Sequence, residues 1–440
     1  MNLLNDITSV VENQGLRPQL IQNLEEKLPS DMDESAKANG AIVRKRKLRS
    51  ALDLITVLMV YSLTSISQRM VAAFCKGIGL ADISDQAWQK RTVKCVPWLG
   101  YILNETMPVT ALTAVEKADF NHRRVKLVDG TCVKQDGSKG ETLRIHMCYD
   151  LTLGCMDDVA VTDHHTAESF EPFYIKPDCI YMADAGYGRG KNLEYIVSRE
   201  ADAIIRVTPN NIRLAEDPRG KKRIDMTEKL GTDKKVVDFT CYIHTQNRKY
   251  IPVRIIASRL PEDKAEAAVK RKKRKANRNQ QTLKDETLIY AEWVILMTSL
   301  PENYSAESIL ALYRARWQIE LLFKRIKQFF KAAKVRAATA QHSKVLILMW
   351  LITWSLIERE VVAAKIYLIH KQADMSRFSP WTMHNLFFQR FKSILCSLWL
   401  TCIDFNTDLI EVYKRLQNHK STRPNQYADF CYAGALSVFA

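Results

Sequence analysis

Between Tyr313 and Lys327 the chain reads Tyr-Arg-Ala-Arg-Trp-Gln-Ile-Glu-Leu-Leu-Phe-Lys-Arg-Ile-Lys. At roughly 100° per residue of helix, Tyr313, Arg316, Glu320, Lys324 and Lys327 fall on one stripe about 80° wide. Leu312, Ile319, Leu322, Phe323, Ile326 and Phe330 gather on another part of the circle, so the helix can pack on a core while its polar stripe faces a groove. One carboxylate set among cations is the composition that a site for a metal ion and phosphates needs. On an ordinary solvated face the same residues would be i,i+4 partners together worth under about 1 kcal/mol. The stripe therefore acquires chemical meaning only if further carboxylates join Glu320.

Two candidates lie upstream. Asp129 and Asp184 each close an apolar strand pattern immediately before a glycine-containing turn, Asp129-Gly130 and Asp184-Ala185-Gly186-Tyr187-Gly188. A charge there is costly unless something compensates it, although either residue alone would also serve as a turn-forming Asx. If the strands are neighbours, the two carboxylates meet and repel, which raises one pKa unless cations intervene. Oxygen-only ligation by Asp129, Asp184 and Glu320 suits Mg²⁺ or Mn²⁺. Two such ions about 4 Å apart can hold the attacking and leaving oxygens of an in-line phosphoryl displacement.

The elements that must position these residues follow an α/β order. Arg124–Asp129, Thr142–Tyr149 and Met156–Val161 read as three antiparallel strands separated by short turns. A helix-like stretch near Ala167–Tyr174 precedes the strand Cys179–Ala183, then a helix (Lys191–Arg199) and a strand (Ala203–Val207). Residues 209–290 interrupt this order with a charged segment containing a hairpin, Val236–Ile243 with Tyr250–Ile256. The run Lys270-Arg271-Lys272-Lys273-Arg274-Lys275 follows, and lying inside the chain it suits contact with phosphates better than a solvated tail does. The strand opened by Trp293 returns to the core, and the Glu320 helix comes next.

The N-terminal part reads as helical, with a basic cluster at Arg44–Lys47. Ile66–Lys94 has the parts of a helix-turn-helix: an apolar-periodic helix, a Gly77-Ile78-Gly79 turn, and a second helix capped by Ser84 that offers Gln86, Gln89, Lys90 and Arg91 to a DNA groove. A plain helical hairpin would show the same pattern. Beyond about residue 340 the chain reads as helical to its end. The boundaries expected are 1–122 for a helical DNA-binding region, 123–208 and 291–340 for the two parts of a catalytic core, 209–290 for a β-rich insertion and 341–440 for a helical C-terminal region.

The whole chain is consistent with a polyanionic partner. Its 440 residues are 47% apolar, enough for real cores, and carry a formal net charge of +16. Nucleic acid and an anionic membrane surface both meet that charge. The N-terminus lacks the basic start and apolar core of a signal peptide, and Val345–Ile357 is too short to span a bilayer comfortably, so it reads as a buried helix. Ten scattered cysteines show no Cys-x2-Cys pair and suit reduced thiols in a cytoplasmic protein.

Together Asp129-Gly130-Thr131, Asp184-Ala185-Gly186-Tyr187 and Tyr313/Arg316/Glu320/Lys327 resemble the DDE transposases of bacterial insertion sequences, nearest to the IS-four family with its Tyr-Arg-Glu-Lys signature. The resemblance covers roughly residues 120–330. It implies a ribonuclease-H-like core with the triad Asp129, Asp184 and Glu320 binding two Mg²⁺ or Mn²⁺ ions, and a β-rich insertion between the second and third acids. It further implies that Tyr313, Arg316 and Lys327 grip the phosphates flanking the scissile bond, and that Trp293 stacks near the flipped base of a DNA hairpin intermediate, though Trp293 would serve equally as core. The protein would bind double-stranded DNA at terminal inverted repeats and at the target, act as a homodimer on paired ends in the nucleoid, and move its element by cut-and-paste. A related metal-dependent nuclease without strand transfer, and a catalytically inactive DNA-binding regulator or relic, would share most of these features.

Overall fold

The structure, a computed structural model, describes residues 25–401 apart from 44–47, 49, 65, 78–80, 108–122, 136–140, 152, 232, 247–248, 331–333, 336, 338 and 373–378. The chain forms two compact units, Met1–Trp98 with Arg390–Ala440, and Leu99–Gln389.

In the first unit, four helices are α1 (Met32–Ala38), α2 (Ala51–Thr64), α3 (Gln68–Gly77) and α4 (Asp85–Lys94). Asp33 accepts the Ala51 N–H at 2.7 Å and so fixes the start of α2, most of whose residues are buried. Ser84 caps α4 as expected, accepting the Ala87 N–H. Trp88 and Thr92 turn inward, while Gln86, Gln89 and Lys90 are exposed. Ile78 and Gly79 of the expected turn, and Arg44–Lys47, lie outside the described residues.

The second unit is built on one ten-stranded sheet. Its strands are β1 (Arg124–Gln135), β2 (Glu141–Asp150), β3 (Cys155–Asp163), β4 (Cys179–Ala183), β5 (Asp202–Arg206), β6 (Leu214–Ala215), β7 (Val236–His244), β8 (Tyr250–Arg259), β9 (Trp293–Thr298) and β10 (Lys334–Val335). The spatial order is β3-β2-β1-β4-β5-β9-β8-β7-β6, with β10 beside the far end of β1. The first three strands are antiparallel as expected, whereas β1, β4 and β5 run parallel, the last two joined through α5 (Gly190–Val197). Such a crossover buries both faces, and Cys179–Ala183 is accordingly buried at every position. The inserted hairpin β7–β8 does not stand apart from this sheet. Strand β9 pairs antiparallel with β5 on one side and β8 on the other, so core and insertion share one ladder.

Four local expectations change. Asp129 does not end its strand: β1 runs on to Gln135 because β2 pairs it across Asp129↔Met147 and Gly130↔His146. Parallel pairing with β4 stops at Val128↔Ala183, so Asp129 lies where β1 loses that neighbour. Residues 167–174 form no helix; Pro172 removes an N–H and keeps residue 171 out of helical geometry. The basic run sits on α7 (Glu262–Arg278), after α6 (Met226–Leu230), and α8 (Asp285–Ala291) follows. Helix α7 forms because alanines and long straight side chains dominate it, with Glu262 and Asp263 in its first turn and Lys275 and Arg278 in its last. The 209–290 insertion is therefore mixed rather than purely β-rich. The Tyr313–Lys327 stripe spans α9 (Ala306–Tyr313), one 3-10 turn (Arg314–Arg316) and α10 (Trp317–Phe329).

Helix α10 buries Ile319, Leu322, Phe323 and Ile326, four of the residues expected on its apolar face. Phe323 and Ile326 line one small cavity together with Thr131, Val133, Ile145 and Met147 of β1 and β2 and with Ile347, Trp350 and Leu351 of α11 (Ala340–His370). Val345–Ile357 is buried throughout. A further helix, α12, spans Pro380–Thr401. Among the described residues no helix is long and apolar enough to cross a membrane, and seven cysteines are free thiols.

Candidate active site

Strand register places the two aspartates side by side. Val128 and Ala183 are the last paired neighbours of parallel β1 and β4, so the residues that follow them, Asp129 still within β1 and Asp184 just past β4, stand side by side where that pairing ends. Each carboxylate is held by its own turn of backbone: Asp129 Oδ1 accepts the Gly130 N–H at 2.7 Å, and Asp184 Oδ1 accepts the Gly186 N–H at 2.9 Å.

Glu320 joins them through Arg316. The Arg316 guanidinium hydrogen-bonds the Glu320 carboxylate one turn along the helix and stands 3.8 Å from Asp129 Oδ2. Arg316 and Asp129 are mostly buried, whereas the Glu320 side chain is 57% exposed. Among the described residues no three acidic, histidine or cysteine side chains stand within ligating reach of one ion. Asp129 and Glu320 instead turn to the cation between them, as like charges in a partly desolvated site must.

The electrostatics show the strain of this arrangement. Burial pushes the Asp129 carboxyl up to about 7; the Gly130 N–H and Arg316 pull it back, and the charges of Asp184 and Glu168 push it further. Glu168 is raised by burial and then by Asp184, with Arg144 opposing. In both groups burial is the main cause and the neighbouring negative charge adds to it.

The other expected residues divide by the direction their side chains take. Tyr313 donates its hydroxyl to the Ala183 carbonyl at 3.3 Å, tying the end of α9 to the residue before Asp184. Burial pushes that phenol up to about 12, against the pull of Arg316 and Arg206. Lys327 turns into the protein, where its ammonium donates to Thr131 Oγ1 at 2.7 Å and the Cys132 carbonyl at 3.1 Å, so it pins α10 to β1. Lys324 is exposed. Trp293, 2% exposed, belongs to the hydrophobic core under the sheet. It also forms part of the wall of a cavity of about 340 Å³ that reaches Ala185 beside Asp184. Arg206 at the end of β5, Arg271, Lys272 and Lys275 of α7, and Tyr290 complete its basic and aromatic lining. Lys270, Lys273 and Arg274 are exposed on the same helix. Two neighbours of the acids escaped the sequence reading, Glu168, in the stretch misread as a helix, and Arg144, while Tyr187 stands in it only as part of the Asp184 motif with no role given to it.

The family described as Transposase DDE domain matches residues 121–356, the part of the chain that holds these elements. The InsL transposase of insertion sequence element IS186A from Escherichia coli (strain K12) is 32% identical over 336 residues, covering 75% of this chain and 90% of that one. The transposase of insertion sequence element IS421 from Escherichia coli is 32% identical over 337 residues, with the same coverage. A matched domain of more than half the chain, and relatives covered almost end to end, place it: this chain belongs to the DDE transposases of bacterial insertion sequences, ribonuclease-H-like enzymes of DNA transposition.

Proposed function

We propose that Asp129, Asp184 and Glu320 are the catalytic carboxylates, and that the protein binds the terminal inverted repeats of its own element as a dimer on paired ends and moves it by cut-and-paste. The observation that carries this reading is the meeting of three acids from three distant segments: two set side by side by strand register, the third tethered to Asp129 through Arg316.

The donor set fits a hard divalent cation. It offers carboxylate oxygens alone, and burial with mutual repulsion has already raised Asp129, so added positive charge would relieve the site. Asp129, Asp184 and Glu320 would hold Mg²⁺ or Mn²⁺, two ions in all, and Glu320 is exposed enough to rotate towards the aspartates. When bound, such ions neutralise the phosphoryl oxygens and lower the pKa of the attacking hydroxyl.

The chain's own residues then position the DNA. Arg316, released by Glu320, has a guanidinium suited to bidentate contact with a phosphate, and Lys324 supplies a second, exposed cation. Tyr313 and Lys327 keep the helix registered on β4 and β1. In the first step a water oxygen bonds to phosphorus as the P–O3′ bond breaks, and the departing 3′-oxygen takes up a proton. In the second, that 3′-hydroxyl forms a new P–O bond with another phosphodiester, whose own 3′-oxygen leaves with the proton. The basic cavity wall of α7, with Arg206, suits the strand leading to the site. Exposed Gln86, Gln89 and Lys90 on α4 suit a major groove.

Joining of a labelled 3′-hydroxyl end to a target duplex tests the whole sequence. Mg²⁺-dependent joined product, needing two ends, is expected; cleavage that never yields joined product would leave a nuclease.

A further inference from the structure

We propose that Glu168 is a fourth carboxylate of the catalytic site, a ligand to divalent cation beside Asp184, with the buried Tyr187 hydroxyl as the donor that orients the acidic cluster. The inference rests on the reading of Asp129, Asp184 and Glu320 as the catalytic set.

Glu168 is presented by a clamped loop. Asp163 accepts the His165 N–H at 2.9 Å, the Thr166 N–H at 3.2 Å and the Thr166 hydroxyl at 3.0 Å, and Arg144 donates to the Thr166 carbonyl at 2.9 Å. On the other side of Glu168, Phe170 and Phe173 are buried in the core. The carboxylate is thereby laid across both aspartate motifs. A Cβ on Gly186 would overlap Glu168 Oε2 and stand 3.1 Å from Asp184 Oδ1, and one on Gly130 would lie 3.6 Å from Glu168 Oε1. Gly186 is what leaves room for this third side chain, and Gly130 lies within ordinary contact distance of it.

The cation paired with Glu168 does not account for the arrangement. Arg144 stands 3.8 Å from Glu168 Oε1, too long for a hydrogen bond, and divides its donors between Thr166 and Cys132 Sγ. Asp129, Asp184, Glu168 and Glu320 together face the guanidinium groups of Arg144 and Arg316, which leaves a surplus of negative charge.

A second, independent observation points into the same space. Tyr187 is fully buried, its hydroxyl has no hydrogen-bond partner among the described residues, and the charges of Asp129, Glu168 and Asp184 all act on it. A buried hydroxyl is seldom left unpaired in a folded protein. A buried donor close to carboxylates is what outer-sphere partners supply to the ligands of a metal, whose free oxygens need fixing.

Mn²⁺ binding to the full chain without DNA, followed by calorimetry and by the electron paramagnetic resonance of the free ion, tests this. Glu168→Gln should weaken Mn²⁺ by about tenfold or more and Tyr187→Phe by a smaller factor, with thermal melts in EDTA unchanged or raised. Glu168→Gln that binds Mn²⁺ like wild type, while Asp184→Asn does not, overturns the proposal and spares the triad. Wild-type affinity in both variants overturns both readings. Should Glu168→Gln fail to fold, Fe²⁺ with ascorbate and peroxide can be used on the wild-type chain. Backbone cuts near residue 168 are expected with those near 129 and 184, and their absence at 168 alone would overturn the proposal.

Discussion

Arg316 is the residue on which the site turns, because it contacts both Asp129 and Glu320 and is itself largely buried. Arg316→Gln should slow end cleavage by about 10²-fold, since a donor aimed at developing charge in a dry site is worth that much. DNA affinity measured by anisotropy should fall far less; an equal loss in both would make Arg316 a simple binding residue. Sequence proposes the three acids on two different signals: Asp129 and Asp184 as charges at the ends of apolar strand patterns, and Glu320 by its place in the Tyr-Arg-Glu-Lys spacing. The direction of long side chains was not legible: Lys327 sits on the right stripe, yet its ammonium satisfies Thr131 and Cys132, and Trp293 opens its strand facing the core. Glu168 carried no periodic or spacing signal at all. Its meaning appears only when Gly186 and Gly130 are seen beneath it.

Helix α11 is tied to the sheet by a buried acid with no part in the chemistry. Glu358, 1% exposed, accepts the Met156 N–H of β3 at 2.7 Å and the Trp354 indole N–H at 3.2 Å, and burial pushes its carboxyl up to about 8. The folded state therefore holds this proton more tightly than the unfolded chain, whose carboxyl titrates near 4.3. Stability from Glu358 is fully present below that value and declines as pH rises towards 8, by at most about 1.4 kcal/mol per pH unit. Melts between pH 5 and 8 should show Glu358→Gln losing that part of the slope; an unchanged slope would mean that Glu358 is charged when folded. On α7, replacing Arg271, Lys272 and Lys275 together by Gln should weaken DNA binding and reduce the slope of log K against log salt by about 2 to 3. An unaltered slope would remove α7 from the DNA surface. Hairpin β7–β8 and the Ser84 cap were legible from alternation and cap chemistry. The 167–174 stretch is no helix because Pro172 interrupts it, and the single sheet escaped because pairing of β9 with both β5 and β8 is a long-range fact no local pattern contains.

At the scale of the whole molecule, a net charge of +16 and a 32% identity spread over three quarters of the chain agree on an enzyme whose partner is DNA. Sedimentation of the protein with a duplex carrying one terminal repeat should show two chains holding two ends; a complex with one chain would contradict the paired-end proposal. The central claim is that Asp129, Asp184 and Glu320 form one metal-dependent site, and the direct measurement is Mg²⁺-dependent cleavage of a duplex bearing the repeat that flanks the gene, for wild type and Glu320→Ala. Cutting at the repeat end by wild type, abolished in the variant while DNA binding persists, is the predicted result. Cleavage that survives in Glu320→Ala would contradict it.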